Sequence, residues 1–62
     1  MIRLRDLEAH LRAHDAYLVR EGAKHSVWRR DPDHQSTVPR HRELPATTAR
    51  SICRQLGMPP LR

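Results

Sequence analysis

Ala16-Tyr17-Leu18-Val19-Arg20-Glu21-Gly22-Ala23-Lys24-His25-Ser26-Val27-Trp28-Arg29-Arg30 is the stretch that decides the fold. Tyr17, Leu18 and Val19 are consecutive strand-prone residues followed by charge, which predicts a strand over 16–21. Glu21-Gly22-Ala23-Lys24 reads as a tight connection, with Gly22 free to take a positive φ. A second strand returns from it over 25–30. Asp31-Pro32-Asp33-His34 is a further turn by its Pro and Asp content. A short third strand follows over 35–38, which Pro39 stops or marks as an edge.

Outward from this meander the periodicity becomes helical. Leu4, Leu7 and Leu11 recur at i, i+3, i+7 and predict a helix over 2–14, ending near His14 and Asp15. Ala49, Ile52, Cys53 and Leu56 predict a second helix over 46–56. Pro45 sits near its start, where a missing N–H does no harm, and Thr47 and Thr48 read as capping residues. Gly57 suits the position after the last turn, and Pro59-Pro60 forbid continuation. The segment 40–44 is a basic-then-acidic connection. The fold class is therefore α+β in the order α-β-β-β-α, a three-stranded antiparallel sheet with both helices on one face. Leu4, Leu7, Leu11, Leu18, Val27, Val38, Ile52 and Leu56 are its expected core. With Val27 facing that core, strand alternation leaves Trp28 half exposed on the other side. The outline is like that of double-stranded-RNA-binding domains, an analogy of fold only.

Size and charge narrow the function. Sixty-two residues suit one domain over 1–62, which buries about 60% of its unfolded surface and has no room for a deep cavity. An active site is then shallow and open, suited to a polymer or a protein surface. Cys53 is the only cysteine, so no internal disulfide is available. That, with no apolar leader at the start, points to a reducing cytoplasm. No uncharged stretch is long enough for a membrane span. Stability gained by association with a partner is the remaining route for so small a chain. Twelve Lys and Arg against seven Asp and Glu give a net charge of +5, and Lys24 is the one lysine among them. Arginine grips phosphate bidentately and stacks on bases, so the composition reads first as nucleic-acid binding. A solvated basic surface or an acidic protein partner would use the same charges.

The chemistry-bearing residues gather around His25. Gly22 and Ala23 leave its approach open, Lys24 beside it can hold a phosphate, and Trp28 next to Arg29 and Arg30 offers an indole for base stacking. Each has a plainer reading, in which His25 is an ordinary boundary histidine. His25, His34, His41 and Cys53 fall at no paired zinc spacing, so no metal site and no cofactor are expected. Cys53, on an apolar helix face, reads as a small buried hydrophobe. His10 and His14 read as solvated, and Arg50 and Arg54 as a basic stripe for RNA, an acidic partner or solvent.

Three runs together carry a resemblance. They are 18–28 (Leu-Val-Arg-Glu-Gly-Ala-Lys-His-Ser-Val-Trp), Thr37-Val38-Pro39-Arg40-His41, and 49–57 (Ala-Arg-Ser-Ile-Cys-Arg-Gln-Leu-Gly). In combination they resemble the HicA family of toxins, small mRNA interferases of bacterial toxin–antitoxin pairs. The resemblance runs from the first helix to Gly57. It implies a double-stranded-RNA-binding-like αβββα fold and metal-independent RNA cleavage in the cytoplasm. It also implies a catalytic histidine after the glycine turn, which falls on His25, and a HicB-type antitoxin that covers the active site. Ala23-Lys24 stands where the family often has Gly-Ser, and Asp15 where it often has a glycine closing the first helix.

The expected activity is thus endoribonucleolytic, with His25 as general base or acid. Lys24, Arg40 and His41 supply phosphate contacts, and Trp28 a stacking surface. His41, then Glu21, are the candidates for the second proton-transfer group. The alternatives are a non-catalytic RNA-binding module of the same fold and a protein-interaction module.

Overall fold

The computed structural model describes residues 1–61. The elements in chain order are β1 (Ile2–Arg3), α1 (Leu4–Ala13), β2 (Tyr17–Glu21), β3 (His25–Asp31), β4 (His34–Pro39), β5 (Glu43–Leu44) and α2 (Ala46–Gln55). The expected α-β-β-β-α frame is present, as an antiparallel sheet in the order β2-β3-β4 with two helices. Two short strands add to it. Ile2 and Arg3 were read as the first turn of a helix, but they pair antiparallel with Leu44 and Glu43. That pairing lies across most of the chain in sequence, so no local periodicity announces it.

Both helices end alike. Asp15 takes φ 72° and Gly57 φ 70°. At the first, Ala16 N–H donates to Leu11 C=O (2.9 Å) and Asp15 N–H to Arg12 C=O (3.1 Å). At the second, Met58 N–H donates to Cys53 C=O and Gly57 N–H to Arg54 C=O, both at 3.0 Å. Each is a Schellman motif, which satisfies orphan carbonyls and brings an apolar residue back onto the last turn. Ala16 and Met58 are accordingly buried. Helix α2 begins at Ala46 after Pro45, as expected, but no side chain caps it, and Thr47 and Thr48 lie inside the helix.

The core corrects the reading of the sheet faces. Trp28 is fully buried at 0% exposure, together with Val38, Leu7, Leu11, Cys53 and Leu56. Ser26 and Ser36 are buried with it, so the inward face of β3 and β4 is Ser26, Trp28, Ser36 and Val38. Val27 turns the other way and is only half-buried. An indole buries far more apolar area than an isopropyl group, which decides between the two faces. The polar cost is met locally: the Trp28 indole N–H donates to Ser26 Oγ (3.1 Å), and Ser26 Oγ donates to Val38 C=O (3.4 Å). Leu18 is opposite Trp28 in register, hence on the same face, yet it is 41% exposed. It stands on the edge strand β2, where the pairing slips between Leu18 and Arg20. The remaining core residues are Ile2, Ala16, Leu44, Ala49, Ile52 and Met58, with Leu4 and Leu61 packed against them.

The far end of the sheet is tied to α2. Arg30 Nη1 donates to Gly57 C=O (2.5 Å) and Leu56 C=O (3.4 Å). Asp31 accepts the Nδ1–H of His34 (2.8 Å) and the backbone N–H of Asp33 (2.9 Å), closing the Pro32-Asp33 turn. Ser36 Oγ donates to Gln55 Oε1 at 2.6 Å. His10, read as solvated, donates Nε2–H to Pro59 C=O (2.8 Å) and anchors the C-terminal segment on α1.

Candidate active site

His25 is the first residue of β3, at the end of the sheet opposite the Arg30–Gly57 tie. Ser26 and Trp28 point inward, so strand alternation places the exposed His25 ring on the outer face. Its backbone helps set the turn: Gly22 N–H donates to His25 C=O at 2.8 Å. The glycine is needed here for space. Gly22 keeps a negative φ, contrary to the sequence expectation, but a Cβ on it would lie 2.9 Å from the His25 carbonyl oxygen. Any side chain would push the strands apart just where the histidine is presented.

Arg40 reaches the same turn from β4. Its backbone N–H donates to Lys24 C=O (2.9 Å), extending the ladder one step beyond the His25–Pro39 pair. Its Nη1 donates to Gly22 C=O at 2.7 Å, and its Nη2 lies 3.4 Å from Glu21 Oε1. Arg40 therefore braces the Glu21–His25 connection while its guanidinium stays about half exposed, with donors left for an anion. Lys24 lies exposed in the turn, and His41 follows Arg40 on the exposed surface. Four of the sequence candidates, Lys24, His25, Arg40 and His41, are thus carried on two adjoining segments.

Trp28 does not join them. An indole buried under the helices has no free face for a base, so its reading as a stacking surface is withdrawn. Its ring instead meets the Arg12 guanidinium, 4.9 Å from the centroid. The aromatic that does stand open is Tyr17, 51% exposed at the start of β2. Strand propensity alone accounts for Tyr17 in the sequence and gives no sign of this exposure. Glu21 is engaged by Arg40, which leaves His41 the freer of the two candidate proton-transfer partners. No hydrogen bond joins it to His25 among the described residues.

The remaining titratable groups are elsewhere. His34 is held by Asp31, and its ring N–H keeps that carboxyl below the usual aspartate range. Burial pushes the Cys53 thiol up, as expected for a core hydrophobe rather than a nucleophile. No helix is long and apolar enough to cross a membrane.

What the arrangement can do chemically is hold a phosphodiester on an open surface. The exposed His25 imidazole shares its turn with Lys24 and with Arg40, which braces it, and backbone packs close at Gly22. Compared with known proteins, residues 4–58 match the family described as HicA toxin of bacterial toxin–antitoxin. No curated protein and no solved structure gives a significant match.

Proposed function

Because this chain belongs to the HicA toxin family, and so to the toxins of bacterial toxin–antitoxin systems, we propose that it is a metal-independent endoribonuclease acting on mRNA through His25. The observation that carries the reading is the placement of an exposed imidazole on the turn that Lys24 and Arg40 flank. The RNA 2′-hydroxyl attacks the adjacent phosphorus, the bond to the 5′-oxygen breaks, and a 2′,3′-cyclic phosphate and a 5′-hydroxyl result. As general base or general acid, His25 either takes the 2′-hydroxyl proton or protonates the departing 5′-oxygen. His41 is the candidate for the other transfer. Lys24 and Arg40 stabilise the charge that builds on the phosphorane oxygens.

A shallow, exposed site accepts a polymer without a conformational lid, and toxicity then follows from cleaving messages in the cytoplasm. The partner is an antitoxin of the HicB type that covers the His25 surface. Its own acidic groups would find Lys24 and Arg40 there.

His25→Ala is the direct test. The chain, freed of antitoxin, should lose RNA cleavage by at least about a hundredfold, the usual worth of one positioned proton transfer. Affinity for RNA should change little, since the cations remain. Cleavage should persist in EDTA. Equal cleavage by His25→Ala and the parent would remove the catalytic assignment and leave an RNA-binding module.

A further inference from the structure

A cleft of about 460 Å³ opens where the start of α1 meets the β1–β5 pair, lined by Arg3, Leu4, Arg5, Glu8, Arg42 and Glu43. Two contacts build it: Arg3 is opposite Glu43 in the ladder, and Leu4 N–H donates to Arg42 C=O at 2.9 Å. The ion pairs among the described residues are Asp31–His34 and Glu21–Arg40, so none of the three cleft guanidinium groups is within ion-pair distance of a carboxylate. Arg3, Arg5, Arg42 and Glu43 are exposed, and Leu4 and Glu8 half-buried.

This mixed lining has a particular chemistry. A bare anion would have no use for two carboxylates, a cation none for three guanidinium groups. Glu8 and Glu43 would also repel an acidic protein surface. An unpaired nucleobase uses all of it. Guanidinium planes stack on its ring or hold its phosphate, the Leu4 side chain offers an apolar contact, and a carboxylate accepts N–H groups from its Watson–Crick edge. Arg42 of the cleft stands two residues along the chain from Arg40 of the His25 turn. Arg40 donates to the carbonyl of Lys24, and Arg42 accepts from Leu4. Two residues of extended chain span at most about 7 Å, so the two places are a short step apart for an RNA strand.

We propose that this cleft is a base-specificity subsite: it seats one unpaired nucleotide of the RNA near the scissile bond, and its carboxylates favour bases with an exocyclic amino group over uracil. This rests on the ribonuclease reading of His25, but it is separable from it. Cytosine against uracil is the decisive comparison, because the two pyrimidines stack alike, while cytosine offers an amino donor at the edge of the ring and uracil offers only N3–H between two carbonyl oxygens that a carboxylate repels.

The test uses the His25→Ala chain without antitoxin and single-stranded oligouridylates carrying one cytosine, guanine or adenine, with affinity read by fluorescence anisotropy. One cytosine should tighten binding about fivefold to tenfold over oligouridylate, as a good carboxylate–amino pair does. Glu8→Gln with Glu43→Gln should bring that ratio close to one, and Arg42→Ala should weaken all the oligonucleotides together. Circular dichroism checks that these substitutions leave the fold intact. Equal affinity for cytosine and uracil, or a preference that survives the double Gln change, overturns the subsite. So does absence of RNA binding with antitoxin binding lost in Arg42→Ala. Parallel digestion by the His25-containing chain separates the two readings. Discrimination without any cleavage keeps the subsite and removes the nuclease, and cleavage without discrimination does the reverse.

Discussion

The Trp28 indole and the Ser26 hydroxyl form one unit at the residue scale. The indole N–H is buried beneath the helices and its acceptor is Ser26 Oγ, which passes the bond on to Val38 C=O. Ser26→Ala leaves a buried donor without a partner, and such a loss costs about 1–3 kcal/mol. Denaturant unfolding of that variant should show it as a lower midpoint at unchanged slope. The single tryptophan supplies the probe. Its emission should be that of a dry environment in the folded chain and should not respond to added RNA. Emission quenched by RNA would restore Trp28 to the binding surface.

The helix ends carry the prediction at the scale of elements. Asp15 and Gly57 occupy equivalent left-handed positions in two Schellman motifs, and only the second is the residue that conformation suits without cost. Asp15→Gly should therefore stabilise the chain by about 0.5–1 kcal/mol, a rise of roughly 2–8 °C in Tm for a domain of this size. The reverse experiment has a larger effect. A Cβ at Gly57 would lie 2.9 Å from His34 Nε2 and 3.3 Å from Arg30 Nη1, in addition to the strained φ of +70°. Gly57→Ala should cost at least about 1–2 kcal/mol and displace the imidazole from its packing on the helix end. Thermal melts of the two variants, moving in opposite directions, check the pair.

The acid response of the whole molecule depends on the same corner. His34, the Asp33 amide and the Asp31 carboxylate link β3, the turn and β4, and Arg30 joins that corner to the end of α2. Asp31 has its pKa lowered, first by the His34 hydrogen bond and also by the Asp33 N–H. The sign follows: a depressed carboxylate contributes stability that is present above its unfolded pKa and is lost as pH falls through the lower folded value. Asp31→Asn should remove that part of the acid dependence, so parent and variant should converge in stability at the acid end and differ most near neutrality. The pair is substantially solvent-exposed, so the difference should be small and shrink with salt.

Local pattern alone determined much of this protein. Helical spacing of Leu4, Leu7 and Leu11 and of Ala49, Ile52 and Cys53, turn residues at Gly22 and Pro32-Asp33, and Gly57 after the last helix are short-range signals, and the elements stand within a residue or two of where those signals put them. The runs 18–28, 37–41 and 49–57 carry the resemblance to the HicA toxin family only in combination, and the family match covers 4–58. Tertiary structure alone decided which face of β3 is inside. Alternation offers two faces, one carrying Val27 and the other Trp28, and burial of the larger indole depends on the partners across the sheet and on Ser26 as acceptor. The same holds for the β1–β5 pair, which joins Ile2 to Leu44, and for the brace that Arg40 makes with Gly22 and Glu21. Such contacts arise only when distant segments meet, and no periodicity within either segment encodes them.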